Sequence, residues 1–423
     1  MLWGLGNACC HQPGHETWFL RRAFSLSTTD NRCLNEVQIL SEWSPDKKWN
    51  PFNSFKLLAQ VYRWRHIVRG MPIPQPALVT VDPINACDLK CDWCNAGFVL
   101  NEKNGMMSRD TLMALADFLP RWQGAPVWPA GVEAICIAGG GEPLLHPDIG
   151  DFIERAVSNG IEVGVITNGT NIDRYLEPLS RCTWVGVSVD AGTAATYRHL
   201  KQEDCFDRVL HNIRQLTSYA AANDCRLGRG GAGSGVSYKY LLTPDNVDDI
   251  VPAARAAKAL GCKNFHLRPA GIAWDKLTLY RSPLFRNGEN KRFQEALDLV
   301  RPLEDETFGV YGITHKFAGD FNPGNRFHRC HAIFMTCVVM PPGKDAGERF
   351  RLGLCCDRRG DRRMEAPGVG GPVEAIADFW GSDRHWDLFE TIAPGDCPRC
   401  TYQPHNQIME SVILEDSMTY KFI

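Results

Sequence analysis

The sequence predicts an α/β chain: a parallel sheet with right-handed helical crossovers, followed by a cysteine-rich segment of different character. Three observations carry this. Short apolar runs alternate with helix-length segments between residues 77 and 268, the signature of repeated strand–helix units. Most of those runs end in loops rich in glycine, asparagine, aspartate or cysteine. From about residue 319 the regular signals thin out, and cysteine, glycine and proline take over.

Taken in order, residues 1–50 show no clear periodicity, and Cys9-Cys10-His11 reads there as irregular terminal sequence rather than a metal site. Between 52 and 69 apolar residues recur at helical spacing (Phe55, Leu58, Val61, Tyr62, Ile67), and Pro72, Pro74 and Pro76 mark an extended connector. Strands are expected at 77–81, 133–138, 161–166, 184–189, 236–242 and 263–268. Helices are expected at 108–122 with Ser108 as N-cap, at 147–159 closed by Gly160, near 193–219, and at 246–260 ending at Gly261. The run Gly228-Arg-Gly-Gly-Ala-Gly-Ser-Gly235 lacks the Lys-Ser/Thr ending of a phosphate loop and precedes a strand, so it reads as a connection. This gives an N-terminal extension with one helix (1–75), a strand–helix domain (76–318) and a small C-terminal domain (319–423).

Composition sets outer limits. At 423 residues, 44% hydrophobic and 22% charged, the chain has the make-up of a globular protein. A formal net charge of -3 gives no sign of the basic face that nucleic acid requires. No apolar run reaches about 18 residues, so no membrane partner is expected. Nine of the 17 cysteines are bunched at 87–94, 330–356 and 397–400. That is metal-ligand grouping, and it places the chain in a reducing cytoplasm.

The chemistry begins at Cys87-Asp-Leu-Lys-Cys91-Asp-Trp-Cys94. Three thiolates this close suit three irons of a [4Fe–4S] cube, with the fourth iron left open for an outside ligand. A zinc site completed by a distant fourth ligand is the alternative. Further on, the second strand ends in Gly139-Gly140-Gly141-Glu142-Pro143, the third in Thr167-Asn168-Gly169, and the fourth in Ser188-Val-Asp190. In this order and spacing the set resembles the radical SAM superfamily over about residues 76–270.

The resemblance implies a partial (β/α)6 TIM-like barrel whose loops gather at the C-terminal strand ends. It implies that Cys87, Cys91 and Cys94 hold a [4Fe–4S] cluster, and that Gly139, Gly140, Gly141 and Glu142 form the loop that takes the amino group of S-adenosylmethionine. Ser188 and Asp190 are placed to meet the cofactor's ribose or amino-acid end, or to cap the next helix. Asn168 shapes its turn, and Arg268 is a partner for the methionyl carboxylate, for a substrate acid, or for a surface ion pair. An external electron donor such as flavodoxin or ferredoxin is implied as well.

After the barrel, Cys330, the pair Cys355-Cys356 and the motif Cys397-Pro-Arg-Cys400 are similar to the auxiliary-cluster regions called twitch or SPASM domains. The match implies a second [4Fe–4S] cluster held by Cys330, one of Cys355 and Cys356, Cys397 and Cys400, with Cys337 or His405 as substitutes. All-cysteine zinc is the alternative. Cys136, Cys182, Cys205, Cys225 and Cys262 read as small buried apolar residues. The expected function is hydrogen abstraction from a small polar substrate such as a sugar or aminocyclitol, leading to oxidation or epimerisation. The alternative is maturation of a ribosomally made peptide, and the remote one a non-catalytic iron–sulfur or zinc protein.

Overall fold

A computed structural model describes residues 54–91, 93–94, 96–100, 105–126, 128–229, 234–269, 289–312, 327–343, 347–397 and 400–414. Cys9, Cys10 and His11 lie outside these residues.

Nine strands form one sheet in the order β7-β6-β5-β4-β3-β2-β1-β8-β9. They are β1 (Leu78–Val81), β2 (Ala134–Ile137), β3 (Glu162–Thr167), β4 (Trp184–Ser188), β5 (Gly235–Leu242), β6 (Asn264–Pro269), β7 (Gly309–Gly312), β8 (Thr336–Met340) and β9 (Arg351–Gly353). β1 to β7 run parallel, each beside its sequence neighbour. This is the partial α/β barrel expected, with all six strands in place and a seventh added. β7 went unread because Gly-Val-Tyr-Gly offers neither an apolar run nor alternation.

The segment after residue 319 adds to the same sheet. β8 pairs parallel to β1, and β9 returns antiparallel to β8, so β1, which opens the barrel, ends up between β2 and β8.

Local sequence explains the crossovers. Ser108 caps helix α1 (Arg109–Phe118) by accepting from the Thr111 amide at 3.2 Å. Helix α2 (Ile149–Ser158) stops at Gly160 (φ 83°), as a left-handed C′ residue should. The helix expected near 193–219 is two, α3 (Ala194–Lys201) and α4 (Phe206–Ala222), divided at Gln202 with φ 57°. The periodic stretch before the first strand opens as a 3₁₀ segment, Ser54–Gln60, with only a single α-helical turn after it.

The strand faces differ sharply. Val163, Val165, Val185, Val187, Tyr238, Tyr240, Phe265 and Leu267 are buried beneath the helices. The alternate set, including Cys136, Ile166, Trp184, Ser188, Lys239 and Arg268, is only half-buried and lines the concave side. Residues alternate between faces along a strand, so this polar, accessible set marks the lumen.

Candidate cofactor and substrate site

The cysteine loop leaves β1 and is fastened from three sides. Gly141 lies so close to its backbone that a Cβ there would stand 2.1 Å from the Ala86 carbonyl oxygen. The Glu142 amide donates to that same oxygen at 2.8 Å. The glycine is therefore required by the packing of the two loops. Asp88, between the first two cysteines, accepts from Asn168 Nδ2 (2.6 Å) and Thr170 Oγ1 (2.6 Å), joining the loop to the turn after β3. On the third side the Lys90 amide donates to the Lys201 carbonyl at 3.2 Å, and Lys201 Nζ sits 4.9 Å from the centre of the Trp93 ring.

Glu142 is spent within this scaffold. Its buried carboxylate accepts from the Leu144 amide (3.0 Å), Thr167 Oγ1 (2.7 Å) and the Asn168 amide (2.6 Å). It caps the short 3₁₀ turn Pro143–Leu145 and welds the glycine loop to the Thr-Asn-Gly turn. Burial pushes its pKa up to about 7 against the pull of these donors. Gly139 and Gly140 precede it at the end of β2.

Asp190 has φ 64°, a left-handed conformation that costs a non-glycine residue free energy. The twist turns its buried carboxylate onto Lys201 Nζ and the Leu241 amide (2.6 Å), while its carbonyl accepts from Asn246 Nδ2 (2.8 Å). Burial alone would lower the Lys201 pKa, yet Asp190, Cys91 and Cys87 hold it above its ordinary value. Ser188 lies on the lumen face opposite Lys239, and Arg268 opposite Leu241.

Burial drives Cys87 up to about 12 and also raises Cys91; Cys91 adds to the rise at Cys87, and Cys94 to that at Cys91. The Leu89 amide points at Cys87 Sγ from 3.4 Å. Among the described residues no three His, Cys, Asp or Glu side chains are already gathered at metal-ligating distance, and all described cysteines are free thiols. The donor set still fits an iron–sulfur cluster: three soft sulfurs on one loop, with an amide aimed at sulfur and a buried cation behind.

The second cysteine group lies in a different setting. Cys330, Cys355, Cys397 and Cys400 line one small cavity. Burial pushes Cys330 up to about 12 and holds Cys355 and Cys400 well above the ordinary thiol value. Asp357 accepts from the Thr401 amide (2.7 Å) and hydroxyl (3.0 Å), tying the Cys355 loop to the Cys400 turn. Arg358 reaches within 4.0 Å of Cys397 Sγ and pairs with Asp361. Four thiols on an enclosed wall fit a fully protein-ligated cluster.

Cys356 is not among the residues lining that cavity. Its Sγ donates to Tyr402 Oη at 3.4 Å. Cys337 is buried in β8, opposite Val79, and His405, half-buried beside Tyr402, does not line the cavity either. Cys182 and Cys262 are buried as expected, whereas Cys136 lies on the lumen face. Arg359, which follows Arg358 in the segment after Cys356, donates to Asp82 at 2.5 Å and so connects that segment to the end of β1.

Asp88, Lys201 and Lys239 were missed by the sequence reading. A lysine inside the apolar run Val236-Ser-Tyr-Lys-Tyr-Leu-Leu242 was the available signal for Lys239. Lys201 carried none, since helix α3 places many polar residues in solvent.

Comparison with known proteins bears on the same segment. The model of the radical SAM superfamily matches residues 81–223, the segment bearing the cysteine loop and the first strand-end motifs. The matched segment carries a radical SAM domain. In sequence the chain is similar to molybdenum cofactor biosynthesis protein 1 of Mus musculus, 26% identical over 149 residues, which is 33% of this chain and 22% of that protein. It spans about a fifth to a quarter of the length of the mammalian relatives it matches. In fold it is similar to Streptococcus suis SuiB bound to precursor peptide SuiA, with TM-score 0.55 and 15% identity, over 91% of this chain and 85% of that one. A structure of anSMEcpe with bound AdoMet aligns with TM-score 0.50 and 16% identity, over 74% of this chain and 83% of that one. No described helix is long and apolar enough to cross a membrane.

Proposed function

We propose that the chain is a radical SAM enzyme that modifies a peptide, with one cluster at the barrel mouth and a second in the C-terminal cavity. When bound, the mouth cluster and S-adenosylmethionine supply one-electron cleavage to methionine and a 5′-deoxyadenosyl radical that abstracts a substrate hydrogen. An outside donor of flavodoxin or ferredoxin type furnishes the electron. The chain's own residues do the rest. Cys87, Cys91 and Cys94 hold three irons, and Asp88 and Lys201 fix their loop. Gly141 brings the glycine loop against it, and the barrel wall excludes water from the radical.

The observation that carries the peptide reading is the extent of the likeness to SuiB, 91% of this chain. It reverses the preference for a small polar substrate drawn from sequence. A small polar substrate is the second reading, favoured by the charged lumen wall of Lys239, His266 and Arg268.

The test is anaerobic reconstitution followed by dithionite and S-adenosylmethionine. About eight irons and eight sulfides per chain are expected, together with slow formation of 5′-deoxyadenosine. A protein holding zinc and no labile sulfide overturns the reading. Uniformly deuterated cell extract, separated into peptide and small-molecule fractions, then identifies the substrate class. The peptide fraction should transfer deuterium into 5′-deoxyadenosine; transfer from the small-molecule fraction alone selects the second reading.

A further inference from the structure

The lumen wall formed by β4, β5 and β6 carries, beside Ser188 and Arg268, a group of side chains outside the cofactor motifs. Trp184, Gly186 and Ser188 on β4 face the same way as Ser237, Lys239 and Leu241 on β5, and those in turn as Asn264, His266 and Arg268 on β6. Lys239 crosses from β5 over Gly186, where a Cβ would stand 2.0 Å from its Cε. The missing side chain makes the slot in which the lysine lies. Its Nζ then rests 3.1 Å from His266 Nδ1 and 5.3 Å from the centre of the Trp184 ring.

This direction matters. Gly186 and Trp184 precede Ser188 and Asp190 on β4, so Lys239 reaches down the lumen and away from the mouth where the cysteine loop sits. It is thus placed beyond the cofactor motifs rather than among them.

Two nearby carboxylates are already engaged. Asp190 is taken by Lys201, and Asp82 by Arg359. Among the described residues no carboxylate forms an ion pair with Lys239. Burial, and then the like charge of Arg268, push its pKa down to about 7. Trp184, Lys239 and Arg268 are each half-buried, so the wall is reachable. A reachable group of cationic and imidazole donors beside an aromatic face is a site that a ligand oxyanion would complete.

We propose that Lys239, with His266 and Arg268, forms an oxyanion subsite in the barrel lumen that takes a carboxylate or phosphate group of the substrate. The proposal rests on the reading that substrate is held in this barrel. A bound oxyanion restores the charge on Lys239, accepts from Nζ and from the imidazole, and fixes the depth to which the substrate enters. A peptide would supply an acidic side chain or its C-terminus; a small metabolite would supply its own carboxylate or phosphate.

The experiment is competitive acetylation of the full chain at pH 7.5 with an activated acetyl ester, with labelling at each lysine read by peptide mass spectrometry. It needs no cleavage of S-adenosylmethionine, so its failure is distinct from failure of the proposed activity. Lys90, exposed on the cysteine loop, serves as the internal reference. Inorganic phosphate, acetate and a Glu-containing peptide with its Gln counterpart are the probes. Labelling of Lys239 is expected to slow several-fold with at least one oxyanion probe while Lys90 is unchanged. Arg268→Gln and, separately, His266→Gln should weaken that protection, and circular dichroism identifies any variant that has not folded. Protection by phosphate alone assigns a phosphate ester. Protection by acetate and by the Glu but not the Gln peptide assigns a carboxylate. No protection by any probe overturns the proposal, and so does protection by S-adenosylmethionine alone, which would give these residues to the cofactor.

Discussion

The two cysteine groups show what surroundings do to the same ligand atom. At the barrel mouth three thiols sit on one short loop, half-exposed; Asp88 accepts from the turn after β3, the Lys90 amide donates to the end of α3, and Ala86 accepts from the Glu142 amide. In the C-terminal region four thiols come from three separate segments and share one enclosed wall. Each group has a cation close behind it that is itself neutralised by an aspartate: Lys201 with Asp190, and Arg358 with Asp361. The electrostatic support is thus alike. What differs is ligand number and access. Three ligands in an open, polar mouth leave a metal position for an outside molecule, whereas four in a closed cavity leave none.

The largest expected effect breaks the comparison in two. Changing Cys87, Cys91 and Cys94 together to Ala should abolish 5′-deoxyadenosine formation and remove about half of the iron. Cys397→Ala with Cys400→Ala should also remove about half, yet retain 5′-deoxyadenosine while losing product. Iron and sulfide counts with chromatographic detection of the nucleoside check both. If the second variant also failed to cleave S-adenosylmethionine, with the mouth cluster shown intact by its spectrum, the division of labour between the two groups would be wrong.

A smaller effect sharpens the picture of the mouth as a polar scaffold. Glu142 is held at about 7 by burial, above its ordinary value of 4.5. The folded state therefore binds a proton that the unfolded state has released between these two values. The stabilisation is fully present below about 4.5 and is lost as pH rises through about 7, a change of about 3 kcal/mol. In Glu142→Gln this slope should vanish. The new NH₂ would face the Asn168 amide, at a cost of about 1–3 kcal/mol. Thermal midpoints of the metal-free protein between pH 4 and 8 measure both. Parallel curves for the two proteins would show that Glu142 stays ionised throughout.

Much of this was legible because the signals are local. Period-2 and apolar runs located β1 to β6, Ser108 announced a helix start, and Gly160 and Gly261 marked helix ends. The glycine loop, the Thr-Asn-Gly turn and the cysteine motif each lie on a contiguous stretch, so their spacing survives in one dimension. What escaped was tertiary. Lys201 looks like any helical lysine until α3 packs against the cysteine loop. Asp88 looks like a spacer until the turn after β3 supplies Thr170 and Asn168. β8 escaped too, since nothing local says that it returns to β1, more than 250 residues earlier in the chain.

The smallest expected effect concerns the neighbouring pair Cys355 and Cys356. Sequence offered either one as the ligand. A backbone in extended conformation at Cys355 (φ -149°, ψ 127°) followed by a 3₁₀ turn sends successive side chains in different directions. Cys355 thus lines the cavity with Cys330, Cys397 and Cys400, whereas Cys356 is directed to Tyr402 Oη. Cys355→Ala should therefore lose the second cluster, because a three-thiol remainder must find a foreign fourth ligand. Cys356→Ala should keep the full iron content. It gives up one weak S–H···O hydrogen bond, a loss of at most about 1 kcal/mol, and the cavity wall is unchanged. Iron content and the electron paramagnetic resonance spectrum of the reduced second cluster separate the two variants. Cluster loss in Cys356→Ala with retention in Cys355→Ala would mean that the loop rotates by one residue when iron binds, and that the enclosed wall forms only around its metal.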